Sequence, residues 1–528
     1  MRTATSGRRS GLSSGLLFGL PALLAAAAGC GDNHTLPPAP DAPDAPTALK
    51  CEVPQAVLPT SGPLADPLAL PLEDCLEGGL RDLPGRWFVS TGAAGFAFEY
   101  PKFEGSCETG FRRANFPADD HDDSDGRARH TWSDGTRIFL RQYRRFQIPD
   151  QPPFELVSAT AACVRRDGTL SAAGAQFNTD QGMRMATLTG KRFAPKDGAP
   201  VGLRLLGELG SQNGVPIPAY NVVVDGTHAY LAGPLGLDVV DVGNPAEPVH
   251  RSHLNGAFND VRVVRGDDKV VAYGAPLFGP ETSIIDVTDP ANPTLAGTIP
   301  EFSHSLQVQQ RGAATFLYLA TYTAEVPRYD ITNPLVPVRL GAATVPGPES
   351  DGVHDLTVDG DRLYVNFTTQ GFVALDVSGG LDAPVELGRY ASPYSHASWA
   401  GVAGGRPIVL HGDEGMTASG GAYLTVHDAD PASPTFLAEI GRYQSRPEVG
   451  IHNIQLVGDK AYIAYYHDGV RIVDLSTPTA PREVAHYNTW NEETALGGPF
   501  EGAMGIRVVD GKIYVADSER GLLIFEEI

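Results

Sequence analysis

One phrase recurs through the C-terminal part of this chain: LDVVDVGNPAEPV, SIIDVTDPANPT, PRYDITNPLVPV, FVALDVSGGLDAPV, LTVHDADPASPT and VRIVDLSTPTAPR. Its aspartate falls at Asp241, Asp286, Asp330, Asp376, Asp428 and Asp474, in steps of 45, 44, 46, 52 and 46 residues. A unit of that length cannot bury its own apolar face and must stack on its neighbours. Each unit offers four short strands between turn signals; in the fourth unit they read HDLTV, RLYVNF, FVALDV and PVELGRY. The period and the strand content together predict an all-β array of propeller type over residues 203–528.

The two ends of the array decide whether it closes. The seventh unit supplies only three strands, GIRVVDG, KIYVADS and GLLIFEEI, before the chain ends at Ile528. A spare fourth-strand phrase, LRLLGELG at 203–210, precedes the first complete unit. Donated to the last unit, it would remove both exposed sheet edges and close a seven-bladed ring. In the recurring phrase, proline presets φ for a tight turn and the aspartate can cap that turn with its side chain. Composition agrees with a turn-rich all-β chain: 60 Gly and 43 Pro among 528 residues, with 20% charged residues. A formal charge of −23 argues against a nucleic-acid partner, because binding phosphate needs a Lys/Arg surface.

The N-terminus reads as an address. Arg2, Arg8 and Arg9 precede an apolar run too short and interrupted for a bilayer-spanning helix, which predicts a cleaved export signal over residues 1–29. AAGC at 27–30 resembles a bacterial lipobox, with Ala27 where the usual pattern has Leu. The resemblance implies that Cys30 carries the lipid, making the protein an exported, membrane-anchored lipoprotein of the cell envelope or cell surface. The Pro, Ala and Asp tract at 31–50 then serves as a stiff, solvated spacer in a 30–50 linker.

Four further cysteines, Cys51, Cys75, Cys107 and Cys163, are confined to residues 51–195. In an exported chain an even number predicts disulfides, and no pair has C-x₂₋₄-C zinc spacing. Three connectivities are open, with Cys51 to Cys75 and Cys107 to Cys163 preferred. Short alternating runs such as RIFLRQY and MATLTGKRF predict that this region is a small disulfide-stapled antiparallel β domain. The acidic stretch at 119–126 lacks the carboxylate register of an EF-type calcium loop and reads as a solvated loop.

The phrases VVDV, IIDV and RIVDL followed by NP, DP or TP resemble the LVIVD repeat of bacterial and archaeal surface proteins. The resemblance spans roughly residues 203–528. It implies a propeller at the cell surface and no particular activity. The fourth unit departs with SGGLDAP, the fifth is one residue shorter before its proline, and the seventh lacks the Asn-Pro turn.

Aligned on the turn that follows, the first strands place Tyr220, Asn259, His304, His354, His396, His452 and Met504 at equivalent positions. In a propeller these positions stand at the channel mouth. Nearby loops add His411, Asp413 and Glu414, then His467 and Asp468, then Glu349 and Asp351. Imidazoles with carboxylates are ligands for a divalent metal, the one cofactor the sequence suggests, with adjacent histidine pairs completed by Asp355, Asn453, Asp413 or Glu414. Affinity would fall as pH drops through about 6.5, the ordinary histidine value. The bland alternative is that the repeat needs a polar residue there for the blade itself. No G-x-S-x-G, Walker A or G-x-G-x-x-G motif is present. The leading expectation is a binding or scaffolding module for a protein or glycan, tied to a membrane through its lipid. The alternative is a metal-dependent hydrolase or oxidoreductase using the same cluster.

Overall fold

The structure, a computed structural model, describes residues 62, 64, 66–79, 85–90, 95–100, 127–146, 154–178, 182–192, 196–348, 352–415, 422–491 and 500–528. The signal segment, the 30–50 linker, Cys51, Cys107, the acidic stretch at 119–126, Glu349 and Asp351 lie outside these residues.

From residue 203 onward the strands assemble into seven four-stranded antiparallel sheets. Their first strands are Asn221–Asp225, Phe258–Arg265, Ser305–Arg311, Asp355–Asp359, Ser395–Ala403, Asn453–Val457 and Ala503–Val509. Each first strand touches the next, and the first touches the seventh, so the seven line a central axis. Neighbouring sheets share an apolar cluster at every junction; sheets three and four, for example, join through Tyr318, Val326, Leu356 and Val373. The core therefore lies between sheets, as a stacked repeat requires.

The seventh sheet takes its fourth strand from the other end of the array: Leu203–Leu209 pairs antiparallel with Gly521–Glu527, Leu209 opposite Leu522 and Leu203 opposite Glu527. The segment leading into this strand is itself held. Val201 and His486 exchange backbone hydrogen bonds at 3.0 and 2.9 Å, and Ile528 N–H donates to the Gly202 carbonyl at 3.1 Å. The fully buried Arg471 guanidinium donates to the Asp197 carboxylate.

The recurring aspartates do what the turn requires. Asp241, Asp286, Asp330, Asp376, Asp428 and Asp474 each accept, through Oδ1, the backbone N–H two residues on, at 2.7 to 3.1 Å. Beyond each turn, every sheet slips register once between its third and fourth strands. Such a bulge increases the local twist. Opposite five of the slips stands a glycine: Gly207, Gly297, Gly341, Gly388 and Gly441. At two of them the next sheet's turn presses in. A Cβ on Gly207 would lie 2.3 Å from the Pro245 carbonyl oxygen, and one on Gly441 would lie 2.2 Å from that of Pro478. In sheet one the same place is Ser252, whose hydroxyl donates to the Pro290 carbonyl at 2.6 Å.

Residues 85–192 contribute a seven-stranded antiparallel sheet. Its spatial order is Gly95–Tyr100, Gly85–Ser90, Gly182–Arg192, Leu170–Asn178, Phe154–Val164, Ile138–Phe146 and Arg127–Ser133. A preceding segment lies along it: Leu64 and Leu70 pack with Phe139, Ala159 and Ala173, and Leu76 N–H donates to the Val164 carbonyl at 2.8 Å. This corrects the preferred cysteine pairing. Cys75 forms its disulfide with Cys163, 88 residues away, because the Cys75–Arg165 bridge sets the two side by side.

Two outcomes follow from this packing. Gly441→Ala should cost about 1–3 kcal/mol in denaturant unfolding, since backbone must move to admit the methyl. Gly297→Ala, whose nearest neighbour is a side-chain carbon at 3.8 Å, should stay within about 0.5 kcal/mol. For ring closure, a chain beginning at Gln212 should melt well below one beginning at Val201, because its seventh sheet keeps three strands and an open edge. Equal melting temperatures would contradict the strand assignment.

Candidate functional site

The side chains at the start of the first strands gather at one end of the axis. In sheets two, five and seven a register slip at this point leaves Asn259, His396 and Met504 as the extra, unpaired residue of a bulge. In sheets three, four and six the histidine stands just ahead of its strand, with its N–H donating to the Ala320, Asn366 or Ala464 carbonyl.

Four successive imidazoles consequently meet in an arc. Ring centroids are 4.2 Å apart for His304 and His354, 4.3 Å for His354 and His396, and 4.7 Å for His396 and His452. The ring at each site is steered by the neighbouring sheet. His396 Nδ1 lies 2.8 Å from the His452 carbonyl oxygen, and His452 Nδ1 lies 2.8 Å from that of Met504. A carbonyl can only accept, so Nδ1 carries the proton in both, and Nε2 keeps its lone pair.

Of the two loop carboxylates, only Glu414 joins the arc. Its Oε2 is 3.5 Å from His396 Nε2, and its Oε1 accepts from the Tyr466 hydroxyl. The ligand atoms of His354, His396 and Glu414 all lie within 4.8 Å of one another. Asp413 instead accepts from the Ser392 hydroxyl and from the Tyr394 and Gly415 amides, which ties it into its own turn. Asp355 is likewise committed, to Ser305 Oγ at 2.7 Å and the Leu356 amide. With Asn453, Arg262 and Arg507 it lines a separate cavity of about 20 Å³. His411 lies within sheet five, 3.0 Å from Ser395 Oγ and 3.1 Å from Thr425 Oγ1. His467 is buried against Trp490 and Glu501, and Asp468 pairs with Arg446 at 2.7 Å. None of these residues completes the cluster.

A second ring of positions crowns the first. The residue after each histidine pairs with Ala320, Asn366, Gly412 or Ala464, and two residues beyond stand Tyr322, Thr368, Glu414 and Tyr466. Three of these four hold left-handed backbone: Tyr322 at φ 53°, Thr368 at 40° and Tyr466 at 39°. A β-branched or bulky residue there is strained, and such strain concentrates at functional sites. Tyr322 packs on His304 at 4.5 Å between rings, with its hydroxyl 3.3 Å from His304 Nε2. Tyr394 meets His354 at 5.6 Å, and Tyr466 meets His452 at 5.2 Å. The tyrosines are absent from the sequence reading, although aligning the ends of the second strands would have found Tyr322 and Tyr466.

Burial sets the charge state. It pushes His304 down to about 3 and His396 and His452 to about 4, and drives His354 well below its ordinary value, with the neighbouring imidazoles adding to the effect on His304 and His354. Burial thus favours the neutral form of every imidazole in the arc. Burial raises Glu414 to about 7 and Asp413 and Asp355 to about 6, against the hydrogen bonds that favour their charged forms.

A ring of repeated four-stranded sheets carrying a polar cluster at one mouth defines a repeat β-propeller. The family model described as the LVIVD repeat matches residues 218–255, 281–300, 352–392 and 451–489. The chain is similar to the WD40 β-propeller domain of Doa1, at 12% identity and a TM-score of 0.44 over 62% of this chain and 98% of that one. It is also similar to BamB from Moraxella catarrhalis, at 12% identity and a TM-score of 0.39 over 63% and 92%. A third likeness is to U3-55K, at 8% identity and a TM-score of 0.44 over 62% and 100%. No curated protein matches.

The buried imidazoles make stability acid-sensitive. His411 lies well below its ordinary value and His427 at about 4, so six depressed imidazoles face the raised carboxyls of Asp355, Asp413, Glu414 and Asp517. A depressed histidine stabilises fully above its unfolded value and loses that contribution as pH falls towards its folded one; a raised carboxyl has the opposite slope. Six outweigh four, so the unfolded chain binds more protons between about pH 4.5 and 6.5, and stability falls as pH drops through that range. Melting temperature measured in chelator should drop from pH 7 to pH 5, and His427→Gln should flatten that slope. A flat profile for the unaltered protein would show that these imidazoles are solvated.

Proposed function

We propose that this LVIVD-repeat propeller is the binding module of an exported, lipid-anchored envelope protein, and that it takes its partner at the channel mouth. The observation carrying this reading is the convergence of His304, His354, His396, His452 and Glu414 from four sheets on one end of the axis. Around them runs an aromatic rim that is partly open to solvent. Tyr322 is 42% and Phe500 47% exposed, and Phe500 packs on Tyr466 at 5.3 Å between rings. Exposed aromatics over a polar floor suit a protein side chain, or a sugar ring that stacks on them. Export is supported by the N-terminal signal pattern and by the Cys75–Cys163 disulfide, a bond that persists in oxidising compartments. The anchor rests on Cys30 and the spacer after it.

A metal-dependent hydrolase or oxidoreductase is the second reading. It is favoured by Glu414 beside His396, because a histidine–carboxylate set is what such chemistry uses.

Two measurements test the proposal. Cys30→Ser should move the protein from the detergent to the aqueous phase in phase separation, or leave the signal uncleaved; a wild-type protein already in the aqueous phase would remove the anchor. A photo-crosslinking residue at Phe500 should capture a discrete partner in cells, and the same residue at Val385, on the outer fourth strand of sheet four, should not. Capture only at Val385 would move the binding face to the outside of the ring.

A further inference from the structure

We propose that the channel mouth holds one divalent first-row transition-metal ion, bound by His354, His396, His452 and Glu414, with Tyr466 positioning the carboxylate. This deepens the preceding reading and rests on it, since it names the ligand at the heart of the same mouth.

Four observations carry it. The first is proximity: the ligand atoms of His354, His396 and Glu414 lie within 4.8 Å of one another. Around an ion about 2.0–2.2 Å from each ligand, donor atoms stand roughly 3–4 Å apart, a difference that small side-chain rotations remove. The second is the tautomer. His396 and His452 each give the Nδ1 proton to a backbone carbonyl at 2.8 Å, the outer-shell contact that metal-binding histidines make, and this leaves Nε2 as the donor atom. The carbonyls belong to the equivalent residue of the next sheet, so closure of the ring sets the protonation pattern. The third is Glu414, whose Oε1 takes the Tyr466 hydroxyl while Oε2 faces His396. The fourth is an unsatisfied atom: His354 Nδ1 is buried, in a residue only 4% exposed, with no hydrogen-bond partner among the described residues. An orphaned buried nitrogen is costly, and coordination would satisfy it.

The bland alternative, that the blade itself needs a histidine here, is answered within the molecule. Sheets one, two and seven put Tyr220, Asn259 and Met504 at the same position and close into the same ring. At this position histidine is confined to sheets three to six, and Glu414 follows the second strand of sheet five. Three nitrogens with one carboxylate suit zinc, copper, iron or nickel, whereas calcium and magnesium take oxygen ligands.

The test uses the full-length mature protein in detergent, stripped with chelator. Calorimetric titration of Zn(II), and of Co(II) followed by its visible absorption, should show one ion per chain; Ca(II) should not bind at this site. His354→Ala with His396→Ala should abolish the Co(II) spectrum. Glu414→Gln, which keeps the shape of the side chain, guards against misfolding of that double variant and should shift the spectrum and weaken binding. Tyr466→Phe should weaken it about 10–100-fold, as loss of an outer-shell partner does. His253→Asn, on the outer strand of sheet one, should change nothing. Failure of the unaltered protein to bind any of these ions stoichiometrically, or an unchanged Co(II) spectrum in the double variant, would overturn the metal assignment. Crosslinking at Phe500 in chelator-treated protein separates the two readings: capture without metal binding sinks only the metal, and metal binding without capture sinks only the partner.

Discussion

The pairing of Leu203–Leu209 with Gly521–Glu527 is the contact on which the rest of the propeller depends. A stack of sheets held only by apolar faces would end in two unpaired edges, each a template for another chain. Joining the ends makes every sheet a neighbour of two others, with an apolar cluster at each junction. It also fixes the circumference, and the circumference fixes how closely the first strands approach the axis. The spacing of 4.2 to 4.7 Å between neighbouring imidazoles is a result of that closure, not of any local motif.

The mouth shows how a repeat can hold a site without every unit contributing alike. Each sheet presents a strand start and a strand end at the same two places. The chain fills these with His304 and Tyr322 in sheet three, His354 and Thr368 in sheet four, His396 and Glu414 in sheet five, and His452 and Tyr466 in sheet six. The scaffold supplies positions, and the residues there decide the chemistry. Backbone carbonyls that the fold places anyway, those of His452 and Met504, orient the rings next door.

Much of this was legible because it depends on period and pattern. The recurring aspartate gave the register, and the register located both the donated strand and the four equivalent histidines. What escaped depends on three-dimensional proximity with no sequence period behind it. Cys75 and Cys163 are brought together by the Cys75–Arg165 β-bridge between distant segments, which spacing cannot reveal. Asp413 and Glu414 are adjacent and chemically alike, yet successive residues at a strand end face opposite ways: one is consumed by its own turn and the other reaches the arc. The depressed histidines escaped because an ordinary value near 6.5 presumes solvent, and closure removes it.

The way the chain enters the propeller also determines how it would bear load. A pull from the N-terminal side reaches the Asp197–Arg471 pair first, then the Val201–His486 bridge, and only then the ladder of the seventh sheet. Where the pull runs along the strand, the hydrogen bonds of that antiparallel ladder are sheared together and not unzipped one by one. For a module held from that side, the element that closes the ring is also its mechanical clamp, and tension would reach the channel mouth only after the clamp had slipped.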